Sequence, residues 1–287
     1  MYAALDGLRI FFDIEGPLLR SGEVGYVEAP ILLCLHGGPG VDHTTLRPFL
    51  SPLAKSMQLV YLDHRGNGRS DHGETDDWNL AKWGDDIRRF CSATGIEHPI
   101  VFGHSFGAAV ALSYATRHPD HPVGLVLSGY PGRMDPGVLA RAFDELGGPD
   151  AADAAWNHFC DPSSAKAEKR FDEICIPLYI RSGDTPALDA AIKNEAVRRH
   201  YTEHEAFTVD FSDSFDLIRC PTLFVVGSDD PFCSSEALAS LRQRFPAAQV
   251  VVADNAGHAP YRDKPAEFNQ LVHEFVTALG QQSSDTR

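Results

Sequence analysis

Short apolar segments alternate with longer amphipathic segments in two parts of the chain, and this alternation limits the fold more than any other feature. The apolar segments comprise residues 31–35, 59–62, 100–102, 123–127, 222–226 and 250–253. Several are apolar at successive positions, which is typical of strands buried on both faces of a parallel sheet. Amphipathic segments lie between or after them at 46–56, 80–93, 105–117, 235–245 and 266–279. This alternation predicts an α/β protein with a mostly parallel central sheet and helices on both faces.

Residues 130–214 lack the strand pattern. Asp135 followed by Pro136 is typical of a helix start, and Gly147-Gly148 is typical of a helix end. Further helices are predicted at 151–160, 163–174 and 186–200. We therefore predict a core domain formed by residues 1–129 and 215–287, with a helical cap domain of residues 130–214 inserted into it. Residues 8–14 are predicted to form an antiparallel strand at the sheet edge.

Charge and cysteine content narrow the range of partners. With 25 Lys and Arg against 40 Asp and Glu, the net charge is −15, so neither nucleic acid nor a membrane is an expected partner. No apolar run approaches the roughly 20 residues that span a bilayer, and the N-terminal residues lack a signal-peptide pattern. Six isolated cysteines indicate reduced thiols and a cytoplasmic location. The expected partner is a small-molecule substrate, and the oligomeric state stays open.

The pentapeptide Gly-His-Ser-Phe-Gly at 103–107 lies directly after a predicted strand and leads into a predicted helix. A serine on such a strand-to-helix turn is held in strained backbone at the head of the sheet, where its hydroxyl is open to substrate. The flanking glycines leave room for the turn, and the helix N-terminus directs free N–H groups toward a developing negative charge. Ser105 is therefore the predicted nucleophile.

A second glycine-rich segment, His-Gly-Gly-Pro-Gly at 36–40, follows another predicted strand. A loop this rich in glycine lets backbone N–H groups approach a carbonyl oxygen. We predict that the N–H groups of Gly38 and Phe106 form an oxyanion hole, with Gly37 as the alternative donor and a neighbour of the substrate. No Gly-Lys-Ser/Thr sequence follows, so a nucleotide-phosphate site is not predicted and no cofactor is expected.

The remaining members of a triad are expected in the order serine, acid, histidine. Asp229 and Asp230 follow the predicted strand 222–226, and His258 follows the predicted strand 250–253. We predict that His258 takes the proton of Ser105 and that a carboxylate fixes the histidine tautomer. The spacing of the turn favours Asp230 over Asp229 for this role.

Several other residues also receive predictions. Tyr130, just past a strand end, and Trp156, in the cap, are predicted to border the substrate. His104 is expected to face away from the nucleophile and pack. Asp63 and Arg65 are expected to pair and brace the oxyanion loop. No metal site is expected, because the histidine pairs at 118/121 and 200/204 lack further ligands.

These motifs together resemble the α/β-hydrolase superfamily over nearly the whole chain. Within it, His-Gly-Gly-Pro-Gly at 36–40 with Asp-His-Arg-Gly-Asn-Gly-Arg-Ser at 63–70 is similar to the proline iminopeptidase group. The resemblance implies an α/β-hydrolase fold and removal of an N-terminal residue, often proline, with cap acids binding the free amine. The pentapeptide around Ser105 departs from that group, which usually carries Gly-Gly-Ser-Trp-Gly at this turn. The form at 103–107 is common among esterases, lactonases and C–C hydrolases.

Three functions are therefore considered. The first is hydrolysis of a small ester or amide through an acyl-enzyme, including aminopeptidase activity. The second is lactone, carboxylester or C–C bond hydrolysis with the same triad. The third is a ligand receptor on a hydrolase fold. An aminopeptidase would need acids facing the pocket, and the candidates in the cap are Asp184, Asp189, Glu195, Glu203 and Glu205. The alternative for these acids is a solvated helix face.

Overall fold

The computed structural model describes residues 1–22, 25–181 and 190–284. Its main sheet has eight strands in the order β1-β2-β6-β5-β7-β8-β9-β10, and β3 and β4 form a separate hairpin. Strand β2 pairs antiparallel with β1 and β6, whereas the other neighbours pair in parallel. The strands are β1 (Tyr2–Leu5), β2 (Leu8–Glu15), β3 (Leu19–Gly22), β4 (Gly25–Glu28), β5 (Ile31–Leu35), β6 (Gln58–Leu62), β7 (Ile100–His104), β8 (Gly124–Ser128), β9 (Thr222–Gly227) and β10 (Gln249–Ala253).

Helices cover both faces of the sheet, as predicted. The described helices are α1 (Arg47–Leu50), α2 (Leu80–Thr94), α3 (Phe106–Arg117), α4 (Pro136–Gly147), α5 (Pro149–Cys160), α6 (Ala165–Ile174), α7 (Ile176–Tyr179), α8 (Glu195–His204), α9 (Ser235–Arg244), α10 (Pro260–Asp263) and α11 (Pro265–Ser284). Helices α2, α3 and α9 contribute to the core on one face, and α1, α10 and α11 contribute to the core on the other. None of the described helices is long and apolar enough to cross a membrane.

Helices α4 to α8 are inserted between β8 and β9. Asp135 caps α4 by accepting from the N–H groups of residues 137 and 138, and Gly148, whose φ is 77°, follows the last residue of α4. Helices α4 to α7 share a small core around Phe143, whereas Val197 and Tyr201 of α8 pack with the larger core beside the sheet. The insertion is thus anchored to the sheet through α8. The predicted helix at 186–200 falls partly outside the described residues.

Three local differences have physical causes. The predicted helix at 46–56 is broken into α1 and flanking 3-10 turns, since Pro48 and Pro52 cannot donate backbone hydrogen bonds within it. The edge strand β1 was not predicted, although its residues alternate between exposed and buried. The β3–β4 hairpin was not predicted either, because its side chains are mostly exposed and leave no apolar pattern.

Candidate active site

Ser105 lies at the corner between β7 and α3, with φ of 53° and ψ of −117°. A non-glycine residue at positive φ is strained, and such strain is concentrated at functional sites. The corner needs glycine on both sides: a Cβ at Gly103 would lie 2.4 Å from the Gly107 carbonyl oxygen, and one at Gly107 would lie 2.2 Å from that of Leu35. The Ser105 N–H donates to Ser128 O over 2.7 Å, which ties the corner to the next strand.

Asp230 and His258 meet beyond the ends of two adjacent parallel strands, β9 and β10. His258 Nδ1 lies 3.0 Å from Asp230 Oδ1, within hydrogen-bonding distance. The Asp230 side chain is fully buried, and the same oxygen also accepts from the Phe232 N–H over 3.0 Å. Asp229 instead forms an ion pair with Arg181 at 2.5 Å. The geometry therefore brings Asp230, not Asp229, to the histidine.

The histidine loop is also held by the inserted helices. The His258 N–H donates to the carbonyl oxygen of Tyr179, at the end of α7, over 3.0 Å. A Cβ at Gly257 would lie 2.0 Å from the same oxygen, so this approach requires glycine. The rings of Tyr179 and Phe232 both pack against His258, at centroid distances of 5.6 and 4.7 Å.

Gly38 and Phe106, the predicted oxyanion-hole residues, border the same cavity as Ser105 and His258, and so does Gly37. Phe106 is the first residue of α3, where backbone N–H groups lack partners within the helix. Gly38 has a φ of 106°, which glycine adopts without strain. The loop carrying Gly38 is held by a hydrogen bond to the loop after β6, in which the Gly40 N–H donates to Asn67 Oδ1 over 2.6 Å.

The predicted ion pair between Asp63 and Arg65 is wrong. Arg65 forms two hydrogen bonds with Asp86 of α2, each 2.8 Å long. Asp63 accepts from both the backbone N–H and the Nδ1 of His43, at 3.0 and 2.6 Å, and from the Arg69 N–H. Burial tends to raise the pKa of Asp63, but the bond from His43 and the other donors hold that pKa below its usual value. The chain turns after Asp63, so the two side chains point to different elements.

His104 does not simply face away from the site. Its ring borders the cavity and packs against His258 and Tyr261, each with a centroid distance of 4.9 Å. Burial, together with nearby His258, lowers the pKa of His104 well below its usual value. Its Nδ1 is buried and finds no partner among the described residues. His104 is therefore a neutral neighbour of the candidate base.

Gly129→Ala should reduce turnover at least about tenfold. Its thermal unfolding temperature should be close to that of the control variant Gly95→Ala. Gly129 has a φ of 71°, and a Cβ there would lie 2.8 Å from His258 Cε1 and 3.1 Å from His104 Cε1. A displaced base loses the alignment on which proton transfer depends. Gly95→Ala is the control, because Gly95 also has a φ of 71° but a Cβ there meets nothing within 4 Å.

Both variants should lose about 1–2 kcal/mol of stability through the left-handed backbone. Thermal unfolding and ester hydrolysis would be measured on both. Equal activity of the two variants would show that Gly129 does not constrain the histidine.

The cavity above Ser105 has a volume of about 400 Å³. Its walls are mostly apolar and aromatic, and they come largely from the inserted helices and the loops beside them: Tyr130, Met134, Phe159, Phe171, Ile176, Tyr179, Ile180, Phe207 and Phe232. Tyr130 borders it as predicted. Trp156 does not line it, because this side chain lies on the solvent face of α5 and is 48% exposed. On the same helix, His158 and Phe159 face the cavity instead.

Charged groups also line the cavity on the side of the inserted helices, but they are not the candidate acids named from the sequence. Asp172 and Arg198 line it. Glu195 pairs with Arg198 at 2.6 Å, and Glu205 accepts from the N–H of Leu80 at the start of α2. Glu203 is exposed on α8. Asp184 and Asp189 lie outside the described residues. The position of Asp172 at the cavity could not be predicted, because the sequence shows only that it belongs to an amphipathic helix.

Within the described residues, no three or more His, Cys, Asp or Glu side chains are grouped so that they could hold a metal ion. All six cysteines lie in described parts of the chain and are free thiols.

The eight-stranded sheet, the Ser105 corner and the His258–Asp230 pair together define a protein of the α/β-hydrolase class. The model of the alpha/beta hydrolase fold family matches residues 30–265, so the chain belongs to this family.

Curated relatives include proteins named putative carbamate hydrolase RutD. The one from Caulobacter sp. (strain K31) is 28% identical over 270 residues, covering 85% of this chain and 94% of the relative. One from Escherichia coli O157:H7 is 29% identical over 263 residues, covering 88% and 94%. Family and relatives support the conclusion that the protein is a hydrolase.

Solved structures agree on the fold. The proline iminopeptidase of Mycobacterium smegmatis superimposes with a TM-score of 0.76 at 19% identity, covering 99% of both chains. A proline iminopeptidase-related protein from Thermus thermophilus gives 0.73 at 23% identity, covering 97% of both chains. An esterase from Thermogutta terrifontis gives 0.64 at 21% identity, covering 97% and 98%. Identities this low establish the shared fold alone.

Proposed function

We propose that this hydrolase cleaves a small ester or amide through an acyl-enzyme on Ser105. The observation that supports the proposal is that the strained Ser105 and His258, which is bonded to a buried carboxylate, line one cavity. Gly38 and Phe106, whose N–H groups are the predicted oxyanion donors, line the same cavity. Nucleophile, base and oxyanion donors are the parts that acyl transfer requires.

In the proposed reaction, His258 Nε2 removes the hydroxyl proton of Ser105 while the serine oxygen bonds to the substrate carbonyl carbon. The negative charge moves to the carbonyl oxygen and is stabilised by the N–H groups of Gly38 and Phe106. His258 then gives its proton to the leaving alcohol or amine as the C–O or C–N bond breaks. Water, activated by the same imidazole, hydrolyses the acyl-enzyme and restores the serine. Asp230 holds the Nδ1–H tautomer and balances the imidazolium charge.

The experiment for this proposal combines a fluorophosphonate probe with a panel of p-nitrophenyl esters of increasing chain length. The probe should modify Ser105, as located by peptide mass spectrometry, and modification should stop ester turnover. Aryl carbamates belong in the panel, since curated relatives carry the name carbamate hydrolase. Labelling at another residue would contradict the proposal. A ligand that stabilises the fold strongly without being turned over would instead favour the receptor hypothesis.

The walls of the cavity support an apolar acyl group. Phenylalanine and tyrosine side chains supply much of its border, and alkyl or aryl groups gain roughly 25 cal/mol per Å² by leaving water for such a surface. Neutral esters with a medium-sized apolar acyl group are therefore the substrates we favour first.

A specific observation keeps aminopeptidase activity as a second candidate. Arg198 donates to Glu168 and also pairs with Glu195, so its charge is already matched. Asp172 lines the cavity nearby and forms no ion pair within the described ranges. Burial, reinforced by Glu168, raises its pKa. Around this end of the cavity, the three carboxylates of Glu168, Asp172 and Glu195 outnumber the two guanidiniums of Arg198 and Arg199. The excess negative charge favours a cation, such as the ammonium group of an aminoacyl substrate.

Alanyl and prolyl p-nitroanilides should be compared with their N-acetylated forms. If Asp172 binds the free amine, the charge-assisted contact of about 1.5–3 kcal/mol gives the free amine a ten- to hundredfold advantage in kcat/KM. Asp172→Asn should erase that advantage, and Glu203→Gln, on the exposed side of α8, should leave it unchanged. Equal cleavage of free and acetylated substrates would remove the aminopeptidase candidate and leave the esterase proposal.

A further inference from the structure

A buried histidine behind the oxyanion loop has no part in the reaction proposed above. His36 follows β5 directly and its side chain is fully buried. Its Nδ1 lies 2.7 Å from the carbonyl oxygen of Gly37. Its Nε2 accepts from the backbone N–H of His64 over 3.3 Å. The ring of His64 packs against it with a centroid distance of 4.6 Å.

These two contacts require a single form of the ring. The carbonyl oxygen of Gly37 can only accept, so Nδ1 of His36 must carry a hydrogen. The backbone N–H of His64 can only donate, so Nε2 of His36 must carry no hydrogen and act as the acceptor. His36 is therefore the neutral Nδ1–H tautomer, and both of its nitrogens are satisfied. Burial lowers the pKa of His36, in agreement with the neutral form.

The contact with Gly37 also sets the direction of the next N–H group. The carbonyl of Gly37 and the N–H of Gly38 belong to one planar trans peptide, in which the two bonds point in opposite directions. The carbonyl oxygen contacts the buried ring of His36, which is not among the residues that line the cavity. Gly38 borders the cavity. The N–H of Gly38 must then point into the cavity, toward the position of the substrate oxyanion.

Although Gly40 is held by Asn67, the bond from His36 is the only hydrogen bond to the Gly37 carbonyl among the described residues. The peptide joins two glycines, and glycine populates positive and negative φ with similar ease. A peptide flip would turn the carbonyl of Gly37 toward the substrate oxygen and replace a donor by a repulsive acceptor.

We infer that His36 is a positioning residue that orients the Gly38 N–H into the oxyanion hole. The inference rests on the proposed function, since it assumes that a tetrahedral oxyanion forms. His36 does not line the cavity, so in this proposal its influence on the reaction passes through the Gly37–Gly38 peptide.

The test compares His36→Leu with His36→Asn. Leucine fills similar space without a donor, whereas the asparagine Nδ2, attached to Cγ like the histidine Nδ1, can still donate to the Gly37 carbonyl. Removing one oxyanion donor lowers kcat by about 10²–10³-fold. We expect His36→Leu to lower kcat for a p-nitrophenyl ester about 10²-fold with KM changed less than about threefold. His36→Asn should keep kcat within about tenfold of the original enzyme.

A second readout separates positioning from loss of structure. N–H donors stabilise an oxyanion better than the sulfur anion formed from a thionoester, so the intact enzyme should prefer the oxoester. His36→Leu should shrink this preference at least about fivefold, because one donor no longer contributes. A purely structural defect would lower both rates in parallel and leave the ratio unchanged, and that result would overturn the inference.

Thermal unfolding of each variant accompanies the kinetics. If His36→Leu does not fold, His36→Asn against His36→Gln gives the same comparison, since glutamine carries its donor one methylene too far. Equal oxoester-to-thionoester ratios in those two variants would also overturn the inference. If the original enzyme hydrolyses neither ester and its Ser105 does not react with a fluorophosphonate, the proposed function itself has failed.

Discussion

Ser105→Ala is expected to lower kcat/KM for the best ester substrate by at least about 10³-fold while the protein stays folded. The hydroxyl is the group that forms the acyl-enzyme, and alanine fits the same corner with one atom fewer. Residual turnover should come from the oxyanion donors and binding alone. The measurement is steady-state hydrolysis of a p-nitrophenyl ester, with fluorophosphonate labelling on the same samples.

Ser128→Ala provides the matched control. Ser128 ends the neighbouring strand, and its buried hydroxyl has no hydrogen-bond partner among the described residues. Its removal should leave activity within about threefold, in line with an uninvolved buried group. If Ser105→Ala retains full labelling or more than a tenth of the original rate, Ser105 is not the nucleophile.

Asp230→Asn should lower kcat by up to about 10⁴-fold, the effect of this change where a buried aspartate orients a catalytic histidine. The carboxylate accepts from His258 Nδ1, and an asparagine turned the wrong way would favour the other tautomer. The imidazolium formed during reaction would also lose its neighbouring negative charge. The measurement is kcat at saturating ester, with thermal unfolding to confirm that the variant folds.

Asp229→Asn is the natural comparison, because the two aspartates are adjacent and only one contacts the histidine. Asp229 pairs with Arg181, whose side chain is 49% exposed. A pair this open to solvent contributes no more than about 1 kcal/mol, so the rate should change less than about tenfold. Equal losses in the two variants, or a larger loss at position 229, would mean that the acid has been misassigned.

Features set by local sequence were predicted well. The apolar runs indicated the parallel strands from β5 to β9, because burial on both faces leaves a continuous hydrophobic pattern. The edge strand β10 was also indicated, although only Ala253 of its residues is buried. The Ser105 corner was predictable because a serine between two glycines follows an apolar segment directly and leads into an amphipathic one. The pairing of His258 with Asp230 followed from chain order and the adjacency of β9 and β10.

Features set by packing between helices were not predictable in the same way. In α5, nothing in the sequence distinguishes Trp156, which is exposed, from His158 and Phe159, which face the cavity. That choice depends on how α5 rotates against its neighbours. The position of Asp172 has the same cause: this residue of α6 lines the cavity, whereas the candidate acids Glu195 and Glu203 of α8 do not. Arg65 pairs with Asp86 on α2, which is 21 residues further along the chain. The sequence had suggested Asp63, which is only two residues before Arg65.

The backbone bond from His258 to Tyr179 bears on how readily such an enzyme could be given a new substrate range. The inserted helices supply both the walls of the cavity and, through one carbonyl oxygen, a support for the histidine loop. Exchanging the whole insertion for one from another hydrolase would therefore remake the pocket and disturb the base at once. Point substitutions on the walls, such as Phe159 or Phe207, alter the pocket and leave that carbonyl in place. In evolution and in the laboratory alike, specificity here is more accessible through single side chains than through recombination of the insertion.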